Sequence, residues 1–154
     1  MKILVTAASK HGATDEIADA IATRLRDHSI EAERQEPENV ETLEGFDGVV
    51  LGSAVYMGHW LEPATDLVER HAEALRELPV WVFSSGPVAG KPVEGPELPP
   101  GLTYRSHCVF AGRLELSRLK RTERVITKIV RSHAGDYRDW HAVREWADTI
   151  AASG

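Results

Sequence analysis

The sequence predicts an α/β fold: a parallel sheet between two layers of helices. Three observations predict it. Apolar runs of strand length recur at residues 2–8, 46–53, 79–84 and 104–114. Stretches with apolar residues at helical spacing lie between them, the first carrying Ile17, Ile21 and Leu25 on one stripe. The run around Val49-Val50-Leu51 is continuously apolar, as in a strand buried on both faces of a parallel sheet. Strands that alternate with helices imply right-handed crossovers. At 154 residues the chain reads as a single domain, 1–154, long enough for a proper core.

The elements follow in order. Residues 2–8 read as a buried strand. A polar loop, Ser9-Lys10-His11-Gly12-Ala13-Thr14, leads into a helix that runs to about His28. Ile30 to Arg34 alternates and reads as a short edge strand. Pro37 to Gly45 is polar, with Val40 and Leu43 facing in, and reads as a short helix or turn. The strand at 46–53 is followed by a loop, Ala54-Val55-Tyr56-Met57-Gly58-His59-Trp60. Pro63 opens the next helix, with Ala64, Leu67, Val68, His71, Ala72 and Leu75 at helical spacing. A strand follows at 79–84. Residues 85–103 hold five prolines and four glycines, so no helix is expected there. Tyr104 to Leu114 is the fifth strand. Ser117 caps a helix carrying Leu119, Val125, Ile126, Ile129 and Val130, and Ala134-Gly135-Asp136 breaks it. Asp139 caps a last helix with Trp140, Val143, Trp146, Ala147 and Ile150 inside.

The loop at 9–14 carries the first chemical signal. A helix N-terminus has free N–H groups and a partial positive charge, so it attracts anions. Two hydroxyls, a lysine and a glycine surround it here. The spacing is neither a dinucleotide fingerprint nor a nucleoside-triphosphate loop. Ser9, Gly12, Thr14, Ala18 and Ile21 stand as in the phosphate loop of flavodoxins, which this stretch resembles; an ordinary capped strand–helix turn is the alternative. The resemblance implies a flavodoxin-like three-layer fold with a five-stranded parallel sheet in the order 2-1-3-4-5. In such sheets ligands bind beyond the carboxyl ends of the strands, where the order reverses.

That rule gathers three loops. The first, Ser9, Lys10, His11, Gly12, Ala13 and Thr14, suits a phosphate. The second, Ser53, Ala54, Val55, Tyr56, Met57, Gly58 and His59, offers aromatic and thioether groups that stack on a flat ring. The third, Ser84, Ser85, Gly86 and Pro87, offers hydroxyls and backbone amides to a flavin's polar edge. Together they read as an FMN site. Trp60 has an alternative as packing under the following helix, and Met57 as core filler. No catalytic residue is fixed; His59 is the candidate ring neighbour, a surface histidine bonded to backbone being its alternative.

A narrower resemblance rests on Ala8-Ser9-Lys10-His11-Gly12, Leu51-Gly52-Ser53-Ala54-Val55-Tyr56-Met57-Gly58-His59, Ala111-Gly112-Arg113-Leu114 and Asp139-Trp140. These stretches resemble the flavodoxin-domain proteins grouped with menaquinone-dependent protoporphyrinogen oxidase, over nearly the whole chain. The resemblance implies FMN and electron transfer from a porphyrinogen to a quinone. It also implies a helix between the fourth and fifth strands, where this chain has its Pro/Gly-rich 85–103 segment. The face left thinly covered there is a candidate homodimer surface. Two other functions stay open: an electron carrier between partner proteins, and a flavodoxin-like binding domain without FMN.

Charge and composition bound the partners. The formal net charge of -6 argues against nucleic acid. Arg118, Lys120, Arg121, Arg124, Lys128 and Arg131 nevertheless crowd one segment with a single acid, Glu123. Such a basic face at 117–133 suits an anionic partner or a peripheral membrane contact, or else it is a solvated face. No apolar run approaches the roughly 18 residues of a membrane span. With no signal-peptide pattern, the expected location is cytoplasmic, with peripheral contact at the inner membrane face. One cysteine, Cys108, excludes an internal disulfide and a cysteine zinc cage. The seven histidines show no metal-ligand spacing, and no GxSxG motif suggests a hydrolase.

Overall fold

The protein's structure, a computed structural model, describes residues 1–9, 12–56, 58–86, 97–111 and 140–153. Strand β1 (Lys2–Ala8) leads to helix α1 (Ala13–Asp27) and then to strand β2 (Glu31–Gln35). A 3-10 turn at Pro37–Asn39 precedes β3 (Gly48–Tyr56), which is followed by a two-residue strand β4 (His59–Trp60). Helices α2 (Glu62–Arg70) and α3 (Ala72–Glu77) lead to β5 (Val80–Gly86). Strand β6 (Ser106–Ala111) and helix α4 (Trp140–Ser153) complete the described elements.

The sheet order is β2-β1-β3-β5-β6, with every neighbouring pair parallel. This is the expected 2-1-3-4-5 arrangement, flavodoxin-like in topology. The sequence missed a sixth strand. Residues 54–60 were expected as a loop, yet β3 continues to Tyr56 and the chain folds back. Val55 pairs with Trp60 and Tyr56 with His59, antiparallel. Gly58, at φ +83°, provides the left-handed backbone that lets the chain reverse.

Side chains alternate across the sheet, and each face has its own core. Ile3, Val5, Ala7, Val50, Trp81 and Phe83 meet α1 and α4 on one face. Leu4, Ala8, Val49, Leu51, Val80 and Val82 meet α2 and α3 on the other. Phe83, Phe110 and Trp146 lie with ring centroids 5.7–6.0 Å apart in tilted and edge-on geometry. Trp146 Nε1–H also donates to Ser106 Oγ at 3.0 Å. At the surface, Asp148 of α4 accepts from Arg24 Nε at 2.7 Å and Nη2 at 3.1 Å and contacts His28 Nε2 at 2.7 Å.

Other boundaries differ for identifiable reasons. The helix expected to run through 64–75 breaks at His71, whose φ and ψ are -117° and 27°. The break lets His71 Nε2 approach Val40 O at 3.2 Å while Arg70 donates to the Val40 and Pro37 carbonyls. Strand β5 runs two residues past the expected 84, because β3 and β6 both continue pairing there, Ala54 with Ser85 and Gly86 with Ala111. Strand β6 begins at Ser106, although Arg105 N–H still donates to Val80 O at 2.7 Å. The expected strand end at 112–114, the helix at 117–133, its break at 134–136 and the Asp139 cap lie outside the described residues. So does 87–96 of the Pro/Gly-rich connection.

Candidate functional site

The register aligns the carboxyl ends of three central strands. Ala8 stands beside Ser53, and Ser53 beside Ser84. The three loops expected to act together therefore leave the sheet along one edge.

The first loop closes on itself. Gly12 N–H donates to Ser9 Oγ at 2.9 Å, and Gly12 N-caps α1 at φ +85°. A Cβ at Gly12 would meet nothing within 4 Å, so glycine is needed here for its backbone angle rather than for room. As the N-cap residue, Gly12 has no side chain with which to cap the helix start. A helix N-terminus presents backbone N–H groups to an anion. Thr14 is buried in this turn, Ala13 is half-buried, and Lys10 and His11 lie outside the described residues.

Acidic groups surround this turn, and Arg34 offsets them. The Arg34 guanidinium donates to Asp19 at 2.8 Å, to the Val5 carbonyl at 3.1 Å and to Asp15 at 3.3 Å. Burial raises the pKa of Asp15, while Arg34 pulls it down. Burial also raises that of Glu36, and Asp15 adds to the effect.

The second loop is a pinned hairpin. Ser53 is fully buried; its hydroxyl donates to Ala54 O at 2.7 Å and accepts from Leu61 N–H at 2.9 Å. Ala54 and Val55 are half-buried, whereas Tyr56, at the end of β3, is 55% exposed. Met57 lies outside the described residues. Gly58 O accepts from Glu97 N–H at 2.8 Å, and His59 Nδ1 lies 3.1 Å from Glu97 Oε2. Trp60 packs inward at 5% exposure, the alternative the sequence left open for it.

The third loop begins inside the fold. Ser84 is fully buried, accepts from Trp60 Nε1–H at 2.9 Å and lies 2.9 Å from His107 Nε2. Ser85 and Gly86 are also buried, and Pro87 lies outside the described residues. The sequence offers the Ser84 and Ser85 hydroxyls to a ligand; here the Ser84 hydroxyl, like that of Ser53, holds the base of the hairpin.

The sequence singles out neither His107 nor Arg34, and offers Glu97 only as one of two carboxylates, with Glu94, flanking prolines in a loop. His107 carried one weak signal, a polar residue alternating with Cys108 and Phe110 in an apolar strand. A groove of about 320 Å³ between α2–α3 and residues 99–103 shares no residue with the three loops. Among the described residues no cluster of His, Cys, Asp or Glu could hold a metal, and no helix is long and apolar enough to cross a membrane.

Residues 4–140 match the flavodoxin domain family. The chain belongs to that family. Among curated proteins, this flavodoxin domain is 28% identical to protoporphyrinogen IX dehydrogenase (quinone) of Escherichia coli K12, across 98% of this chain and 95% of that one. Solved structures share its fold. A flavodoxin from the domain Archaea superposes with a TM-score of 0.67 at 15% identity, covering 99% of this chain and 98% of that one. A Streptococcus pneumoniae TIGR4 flavodoxin superposes with a TM-score of 0.67 at 20% identity, covering 100% of both.

Proposed function

We propose that this flavodoxin domain binds FMN and acts as an oxidoreductase resembling protoporphyrinogen IX dehydrogenase, moving electrons from a porphyrinogen-like substrate to a quinone. One observation carries the reading. The α1 N-terminus under left-handed Gly12 sits at the same sheet edge as the end of β3 at Tyr56, the β4 start at His59 and the Ser85-Gly86 backbone. The donor set fits the group: amides and the Ser9 and Thr14 hydroxyls for a phosphate, an exposed tyrosine for a flat ring, backbone for its polar edge. Lys10, His11, Met57 and Pro87 complete these loops in sequence. Bound FMN would supply the reversible electron transfer. The chain's own part is to seat the phosphate, orient the ring and shield one side of it.

An absorbance spectrum after FMN addition and desalting tests the cofactor. Flavin bands are expected to survive desalting; their loss would overturn the reading. Oxidation of protoporphyrinogen with menaquinone as acceptor is then expected. A second reading, an electron carrier docking a basic redox protein, is favoured by the acids Asp15, Asp19 and Glu36 around Arg34 at this edge. Retained FMN without porphyrinogen turnover would select it.

A further inference from the structure

The β3–β4 hairpin is held at its base by two serines that are register partners, Ser53 and Ser84. Ser53 takes the Leu61 amide and Ser84 takes the Trp60 indole, each at 2.9 Å. The second contact continues to His107 on β6, so one chain of hydrogen bonds runs from the hairpin across β5 to the edge strand. An indole nitrogen only donates, so Ser84 Oγ accepts from it. Ser84 then still has its own hydrogen to give, and His107 Nε2, 2.9 Å away, stands where it can receive it. This direction needs neutral His107 with its hydrogen on Nδ1; burial favours the neutral imidazole.

The turn beyond this base passes through left-handed Gly58. A Cβ at Gly58 would meet nothing within 4 Å. Its position is set by what holds its flanks: Glu97 at Gly58 and His59, and the Ser84 chain at Trp60. We propose that His107 is a positioning residue for the flavin site, fixing the Tyr56–Gly58 turn through Ser84 and Trp60. The proposal rests on the FMN reading above. Removing the imidazole leaves the buried Ser84 hydroxyl without its acceptor, so it turns to another and loosens its hold on the indole. A site built on hydrogen-bonded supports loses affinity when a support moves its ligand-facing loop.

Three single variants and one double variant test this. His107→Leu removes the acceptor, His107→Gln keeps one near the Nε2 position, and Trp60→Phe keeps a ring without the donor. Two quantities are read: the Trp60 indole N–H resonance, assigned by its loss in Trp60→Phe, and the FMN dissociation constant. His107→Leu is expected to shift the resonance and weaken FMN roughly tenfold, the scale of one lost hydrogen bond. His107→Gln is expected to restore both. The Trp60→Phe/His107→Leu pair is expected to bind no more weakly than either single variant, because both break one chain. Unchanged binding in His107→Leu, no rescue by glutamine, or additive losses in the pair would each overturn the positioning role while leaving the FMN reading intact. Wild-type protein that takes up no FMN would overturn both.

Discussion

Gly52 lies against the ring of Phe83, its register partner across the β3–β5 pair, and a Cβ built at Gly52 would stand 2.2 Å from that ring. The missing side chain is what admits Phe83 between the sheet and its partners Phe110 and Trp146. Phe83 is fully buried, so its ring cannot swing into solvent. Gly52→Ala is therefore expected to destabilise the fold by about 1–3 kcal/mol through overpacking. Urea unfolding checks this: the midpoint should fall with the slope unchanged. A midpoint equal to wild type would show that the aromatic cluster repacks freely.

Asp148 ties the last helix to α1 at the surface. The Arg24 hydrogen bonds, followed by that of His28, hold its carboxyl well below the ordinary 3.8. A depressed carboxyl pKa contributes stability above its unfolded value, and that contribution disappears as pH falls through the folded value. Asp148→Asn should thus melt lower than wild type at neutral pH. The gap should narrow only below about pH 4 and close in stronger acid. Thermal melts of both proteins across that range decide the matter; parallel curves would assign Asp148 no titrating role. Added salt should shrink the neutral-pH gap, since the groups are exposed.

Pattern carried most of the fold into view. The strands at 2–8 and 46–53 and the stripe of Ile17, Ile21 and Leu25 follow from burial on fixed periods, which a sequence displays directly. The loop at Gly12 was legible for the same local reason, a glycine between a strand and an amphipathic helix. The hairpin was not, because two residues, His59 and Trp60, are too few to show a period. Nor was the break at His71, which brings the imidazole to the Val40 carbonyl 31 residues away. Ser53 and Ser84 looked like hydroxyls at strand ends. Their partners Leu61, Trp60 and His107 are set by the tertiary fold, 8 to 24 residues distant in sequence.

The proposed phosphate seat predicts its own failure. Ser9→Ala with Thr14→Ala removes the two hydroxyls, and with Ser9 goes the Gly12 N–H contact that closes the loop, while left-handed Gly12 itself is kept. If both face the phosphate oxygens, FMN binding should weaken by about 1–3 kcal/mol per lost donor. Calorimetric titration with FMN measures the change, and riboflavin serves as the control. Riboflavin lacks the phosphate, so its affinity should be the same in the variant and the wild type. Equal FMN affinity in the double variant would remove the phosphate from this loop.

His107 gives the fold a second pH dependence with the opposite origin to that of Asp148. Burial, rather than an ion pair, lowers its pKa below the ordinary 6.5. Its described contacts are Ser84 Oγ and the edge of the Tyr104 ring, neither of them charged at neutral pH. Between the folded and unfolded pKa values the unfolded chain binds the extra proton, so stability rises with pH. The contribution is complete above 6.5, declines as pH falls below it, and levels off once folded His107 is also protonated. Wild type should therefore lose more melting temperature than His107→Gln between about pH 7.5 and pH 5. Equal losses would mean that His107 titrates alike in both states, and that the Ser84 contact tolerates the imidazolium.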